Sequence, residues 1–449
     1  MELNHFGGDL MWYRFCWIVA FWGLIFKSIS ADAIGIPLDL SAILGSVTVE
    51  QEQRQRYNIQ PRIRMGDLSA AFDLEIFLDH EGRIRDSGWD FSSRRSGVES
   101  LLRKIHYVRY GDIDDRNRRL SLHVGALEWV TLGTGLVMRN YRNTHGSPGI
   151  KRAGLDMRIR HIFRRLTVRA VIGNLLDLEG GGPVFGGRVE FQPVPLLDMG
   201  VTAVVDADQL SALPDSIRAD LPRDAFAAAS VDVGYPFIDR RHLRARLYAG
   251  AGRILDEDSG TGLALPGVMV DVGPARLQVE YRWVNGRFQA GHFDALYDVN
   301  RAIVDPRTGA ITTREATLQS ASMQGVFGSA LVRFYGIFVA SGSYQHLRGD
   351  VGSAQIVEGR AGMIPEFLKQ LPKIKKVTRA EGYFEKRFRN VSLRNLFDGT
   401  PNTRFGYVVA LAPVENTVVI MEAEFTYLPD GTGGFRRERI LNIQTKITL

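Results

Sequence analysis

The chain has 449 residues, of which 45% are hydrophobic and 24% charged, with 47 glycines and a formal net charge of +6. Such a balance excludes a disordered chain and a bundle of membrane-spanning helices. The basic side chains are scattered, whereas a nucleic-acid binder gathers them on one patch or helix, so no nucleic-acid partner is expected.

Residues 1–30 read as a secretory signal peptide. Arg14 precedes an apolar run over 15–26, and Ser28, Ser30, Ala31 and Ala33 supply small residues around a cleavage point. A run of about 12 residues is short for a spanning helix, which needs about 20. An uncleaved anchor is the alternative, and either would export the rest of the chain. Met11 is a candidate start, because Glu2 and Asp9 precede the basic flank. Cleavage after Ser30 removes two acids and two bases and leaves the balance at +6. The single cysteine, Cys16, leaves with the signal, so the mature chain offers neither disulfide nor thiolate chemistry. Residues 31–45 form a short N-terminal segment.

From 46 to 449 the recurring pattern is alternation with a period of two, the mark of strands with one apolar and one polar face. Phe72, Leu74, Ile76 and Leu78 alternate with Asp73 and Glu75, and Gly66-Asp67 marks a turn before them. Residues 126–143 are apolar and glycine-containing without clean alternation. They suit a segment folded into a lumen or a strand pair with a bulge, and Gly133-Thr134-Gly135 lacks the residues of a phosphate loop. Further on, 155–162 and 166–172 form a hairpin across Phe163-Arg164-Arg165. Val189 and Phe191 alternate with Arg188 and Glu190. A second hairpin joins 231–238 to 242–250, where Leu243, Ala245, Leu247 and Ala249 oppose Arg244, Arg246 and Tyr248. A third joins 268–272 to 277–283 through Gly273-Pro274-Ala275, with Leu277, Val279, Tyr281 and Trp283 opposing Arg276, Gln278, Glu280 and Arg282. Residues 364–371 have helical spacing behind Pro365, as a plug or a rim helix. A last hairpin joins 405–411 to 418–427, and the chain closes on alternating Leu441, Ile443, Thr445, Ile447 and Leu449.

Longer polar stretches (174–183, 207–223, 255–266, 285–314 and 390–403) separate these hairpins. Short turns alternating with long loops suit a membrane barrel better than a soluble sandwich. Tyr235, Phe237, Tyr281, Trp283, Phe425 and Tyr427 fall where an interfacial aromatic girdle would lie. On these residues the chain resembles outer-membrane β-barrel proteins of the porin kind. The expected fold is all-β: a transmembrane antiparallel up-and-down barrel of about 16 strands, within roughly 14 to 18. The resemblance implies outer-membrane lipids as surroundings and a final strand read by the barrel-assembly machinery.

A barrel of that size is too wide for side chains to fill, so a polar lumen is expected. Candidate lining residues are Arg158, Arg160, Arg169, Arg188, Arg244, Arg246, Arg276 and Arg282, with Asp232, Asp271, Glu280, Glu422 and Glu424. Together they either bias a pore by charge or pair across strands and stiffen the wall. The expected function is passive diffusion of small hydrophilic solutes, without cofactor, metal or catalytic residue. One alternative is a surface-interaction protein with a closed lumen, whose 285–314 loop binds a partner. Another is a rim hydrolase, although hydrolase and metal motifs are missing from the sequence and His106, His123, His161, His242, His292 and His346 are dispersed.

Overall fold

The structure is a computed structural model that describes residues 38–448 except 50–51, 79–82, 87–89, 114, 116, 144–152, 164, 181, 214, 219–220, 241, 257–258, 306–307, 335, 369, 371–375, 391–392, 401–402 and 430–434. The expected signal peptide lies outside the described residues.

The wall opens with β1 (Leu38–Val49) and β2 (Glu52–Met65), so it begins inside the 31–45 stretch expected to precede it. β3 (Leu68–Phe72) and β4 (Leu74–Leu78) both pair with β2 and are two halves of one barrel strand, interrupted at Asp73. The interruption has a cause. The buried Asp73 carboxylate accepts from Asn58 Nδ2 and Gln60 Nε2 and contacts His106 Nδ1. β5 (Ile84–Asp86) pairs with β4, and α1 (Arg94–Arg103), capped by Ser93, leads to β6 (Ile105–Tyr110) on β3.

Beyond β6 the neighbours are antiparallel in chain order: β7 (Leu120–Gly125), β8 (Gly154–Ile162), β9 (Leu166–Ile172), β10 (Val184–Val194), β11 (Leu197–Asp206), β12 (Phe226–Arg240), β13 (Leu243–Ile254), β14 (Thr261–Val272) and β15 (Ala275–Asn285). A small ribbon, β16 (Ala302–Val304) and β17 (Ile311–Thr313), stands apart from the wall. The wall resumes with β18 (Met323–Phe334), β19 (Phe338–Gly349), β20 (Gly352–Met363), β21 (Val377–Arg389), β22 (Thr403–Val414), β23 (Thr417–Pro429) and β24 (Phe435–Thr448). β24 then pairs with β1, from Ser41↔Thr448 to Val47↔Asn442, and the sheet is closed.

The closed wall has 20 strands rather than about 16. Two physical features hid the difference. β6 and β7 have six residues each, too short for a clear alternation. β19 and β20 are joined by only Asp350-Val351, and both are rich in Gly, Ser and Ala, which blurs the polar and apolar faces. A further correction falls at 255–266. β14 starts at Thr261, and Leu265 and Pro266 sit in a register break between Ala264 and Gly267. Proline has no N–H to give a ladder, and a bulge is where a strand tolerates it.

The connections are segregated. One end carries Gly66-Asp67, Leu196 and its neighbours, Gly273-Pro274 and Glu415-Asn416, together with both ends of the described chain. The other carries the described parts of the longer connections, 126–143, 153, 173–180, 182–183, 207–213, 215–218, 221–225, 286–305, 308–322, 390 and 393–400. The single helical turn Pro365–Leu368 lies at the turn end between β20 and β21, at the rim. Facing outward along the strands are exposed Val231, Val233, Leu247, Leu263, Leu277 and Val279, with Tyr235 and Phe237 near the turn end of β12 and Trp283 near the loop end of β15. Water makes such a surface unfavourable, and hydrocarbon makes it favourable. The architecture is that of outer-membrane β-barrel proteins.

Depth along the wall should therefore govern the tolerance for charge. Val231→Arg, at mid-strand, is expected to cost about 2–4 kcal/mol, and Phe237→Arg, near the turn end, about 0–1 kcal/mol. Urea titration of the barrel folded in lipid vesicles measures both.

Candidate functional site

The interior departs from the expectation of a simply polar lumen. Two loop-end segments fold inward and bring an apolar core with them. The first, 126–143, is a hairpin: Val130 N donates to Tyr141 O at 2.9 Å and Tyr141 N donates to Val130 O at 2.8 Å. Its tip turns at Gly133 and Gly135, with φ of +61° and +82°. A Cβ at Gly133 would also collide with the Arg188 guanidinium. Gly133-Thr134-Gly135 is thus a turn pressed against the wall. The second lies within 286–322: the alternative reading from sequence used 285–314 as a surface binding loop, whereas Phe288, Phe293 and Tyr297 are buried inside the barrel. Arg139 N donates to Phe293 O at 2.9 Å and Gly291 N to Leu136 O at 2.9 Å.

Leu127, Val130, Leu132, Leu136, Val137, Met138 and Tyr141 pack with Phe288, Phe293 and Tyr297 against Val171, Val204, Phe226, Ala228, Ile254 and Ala264 of the wall. Each fully buried aliphatic or aromatic side chain contributes roughly 1.5–3 kcal/mol. Glycine and alanine on the inward faces of β9 to β14 leave room for this plug: a Cβ on Gly252 would meet the Phe288 ring, and one on Gly186 the Leu132 side chain.

Charge then pins the plug. The fully buried Asp206 accepts from Tyr297 Oη at 2.7 Å and from Arg301 Nε at 2.6 Å. Asp294 holds Arg314 Nη2 at 2.9 Å and pairs with Arg387 of β21. Arg169 grips Asp156 with two bonds of 2.8 and 2.6 Å and gives a third to Thr131 O at 3.0 Å. Burial opposes the Arg301 cation, but Asp206 more than offsets it and holds its pKa above the ordinary value. Burial and Asp206 likewise hold the Tyr297 phenol well above its usual range.

Beside the plug, along β15 and β18 to β21, three spaces lie next to one another. At the loop end a cavity of about 460 Å³ is lined by Arg287, Phe288, Arg314, Gln345, Ile356 and Arg387, among others. Toward the turn end lies a larger one, about 990 Å³, lined by Trp129, Arg158, Arg169, Arg276, Glu358 and Glu385 and reaching Ile364 at the rim. Between them is a throat of about 10 Å³, lined by Arg139, Arg282, Phe327, Ser343, Glu358 and Arg387. Ser343, Arg139 and Glu358 also line the larger cavity, and Gln345, Ile356 and Arg387 the smaller, so the three spaces abut. The throat has room for about one water. Phe327 is its hub, with the Arg282 and Arg139 guanidinium carbons at 3.9 and 4.2 Å from its ring centroid.

Of the residues named from sequence, Arg158, Arg169 and Arg276 line the larger cavity, and Arg282 lines the throat, salt-bridged to Glu280. Arg276 also pairs with Asp271. Arg188 binds Asp232 at 2.6 Å, with Arg246 3.8 Å from that carboxylate. Arg160 is buried against Ser121, 3.3 Å away, and Arg244 pairs with Asp239 at 2.9 Å near the turn end. Glu424 binds Arg404 at 2.8 Å, while Glu422 lies opposite Asn442. Most of these pair locally around the wall, and only some meet at the cavities. The histidines among the described residues stay on separate elements: His106 on β6, His123 on β7, His161 on β8, His242 beside β13, His292 in the plug and His346 on β19. No group of three or more metal-competent side chains forms among the described residues.

Sequence reasoning missed Arg139, Phe327, Glu358, Glu385 and Arg387. β21 carries charge on both faces, because Lys386 points the other way and donates to Asn395 O at 3.1 Å and Asp398 O at 2.6 Å. That removes the alternation which would have singled out Glu385 and Arg387.

No family model and no curated protein matches the chain. Among solved structures it is similar to OccK11 (OpdR) of Pseudomonas aeruginosa, at 11% identity and a TM-score of 0.35, over 93% of this chain and 97% of that one. Similarity to a BenF-like porin from Pseudomonas fluorescens is 12% with a TM-score of 0.33, over 92% and 99%. Wzi, an Escherichia coli carbohydrate-binding barrel involved in group 1 capsule assembly, stands at 9% and 0.35, over 95% and 87%.

Two outcomes test how the plug is held. Asp206→Asn should leave the buried Arg301 with the more distant Asp177, 3.7 Å away, and loosen 286–322 by about 3 kcal/mol, read as faster amide exchange there. His292 is enclosed by Phe226, Phe293 and Tyr297, and burial, reinforced by Arg314 and Arg387, holds its imidazole well below the usual pKa. A released loop would take up a proton near pH 6.5 before the packed one does. Packing is therefore fully supported above about 6.5 and weakens as pH falls, by up to about 1.4 kcal/mol per unit. Glu315, pushed up to about 7 by burial and by Asp256, has the opposite slope, favouring the packed loop less as pH rises toward 7. Comparing His292→Phe with wild type isolates the histidine: the protection factor in 286–322, which corrects exchange for its intrinsic pH dependence, should fall less between pH 8 and pH 5 in the variant.

Proposed function

We propose that the chain is an outer-membrane channel for small hydrophilic solutes, in which flux is set by the throat at Phe327. The observation that carries this reading is the abutment of three spaces along β18 to β21, each with charged side chains in its wall, one at each end and a narrow one between them. An apolar belt outside, a closed wall and charge-lined cavities inside are the parts such a channel needs. Solutes would move down their gradients, without a cofactor, and the throat would screen them by width and by the charges of Arg139, Arg282, Arg387 and Glu358. Export by the N-terminal segment and insertion through β24 complete the reading.

The near-closed throat favours one other reading, a barrel whose plug stays shut and whose remaining loops engage a partner. Planar lipid bilayers separate the two. Wild type is expected to give small conductance steps, and Phe327→Ala, which removes the ring both arginines rest on, steps several-fold larger. A folded barrel silent in both forms would favour the shut one.

A further inference from the structure

On the inward face of the wall, Glu358 of β20 and Glu385 of β21 are direct cross-strand partners. Side chains so placed have Cβ atoms about 4.5–5.5 Å apart, and like charges there repel. The two carboxylates are supported very differently. Glu358 Oε2 accepts from Asn140 Nδ2 and from Ser343 Oγ, both at 2.8 Å. Neither oxygen of Glu385 has a hydrogen-bond partner, although the residue is only 4% exposed and lines the cavity of about 990 Å³.

The nearby cations are turned elsewhere. Arg404, directly across from Glu385 on β22, spends Nε and Nη2 on Glu424 at 2.9 and 2.8 Å. Arg142 lies over the Tyr383 ring, 5.7 Å from its centroid, and Arg139 lies over Phe327. Glu381, two residues short of Tyr383 on β21, shows the contrast: Arg360 holds it at 2.7 Å and Arg379 at 2.8 Å. A buried carboxylate without a donor is unfavourable, and a cation from the cavity would relieve it.

We propose that Glu358 and Glu385 form the recognition site for the primary ammonium group of a solute in the larger cavity. The inference deepens the channel reading, on which it rests, by naming a solute class. An ammonium carries three donors in a compact group, which suits two facing carboxylates and the Ser343 hydroxyl beside them. A divalent ion such as calcium would require six to eight oxygens, more than this pair supplies. The opposite wall carries Arg158 of β8 and Arg169 of β9, and Arg276 of β15 lines the same cavity, so a second positive charge is disfavoured and a neutral or acidic far end is accepted.

The test uses the full chain folded in detergent and calorimetric titration with 6-aminohexanoate, with its N-acetyl derivative as the probe lacking a charged amine. Wild type should bind the free amine and not the acetylated form. Glu385→Gln, with heat-modifiable migration unchanged, should weaken binding about tenfold or more, and Glu358→Gln should weaken it in the same direction. Absence of binding by wild type overturns the site, as would equal affinity for the acetylated probe or in both folded variants. Because the readout needs no conduction, binding without conductance would sink the channel and keep the site. Conductance without binding would do the reverse.

Discussion

Everything in this molecule depends on the ladder between β1 and β24. In a hydrocarbon layer a backbone amide has no water to turn to, and each unpaired group costs several kcal/mol. A sheet can face that solvent only if its last strand meets its first. The register from Ser41↔Thr448 to Val47↔Asn442 does this, and it joins residues from opposite ends of the chain. Once the ring is closed, the pleat decides the rest: one side chain of each pair points to oil and the next points inward.

The interior then has two problems of its own, solved in different ways. A 20-stranded ring leaves more space than wall side chains can fill. Around β9 to β14 that space is taken by a small apolar core, formed by 126–143 and 286–322 and matched by small residues on the wall. On the opposite side it is left as cavities bordered by charge. The polar residues pair closely, as in Arg169 with Asp156 and Arg404 with Glu424, since a buried charge is tolerable only with a partner. Asp206 and Asp294 belong to both solutions: each anchors the apolar plug with an ion pair, so packing and electrostatics hold the same loop.

The throat arises where the two solutions meet. Arg139 comes from the plug and Arg282 from the wall, and both rest on Phe327. Cation–π contact lets two like charges share a narrow space at modest cost. The narrow space is thus bordered by a few side chains on independent elements.

Much of the wall was legible in the sequence, because lipid on one side and water on the other impose a period of two that no soluble environment demands so uniformly. Leu243 to Ala249 against Arg244 to Tyr248, and Leu277 to Trp283 against Arg276 to Arg282, told which face each residue takes and where the hairpins turn. Segments free of that two-sided constraint gave no such signal: short β6 and β7, small-residue β19 and β20, and β21 with Lys386 opposing Glu385 and Arg387. The sequence alone determined a closed amphipathic wall with short turns at one end. Only the tertiary structure decided that 286–322 goes inside, that the lumen holds an apolar core, and that Arg139, Phe327, Glu358 and Arg387 meet. Periodicity reports the medium a strand faces, whereas those meetings join segments far apart in the chain, and nothing local encodes them.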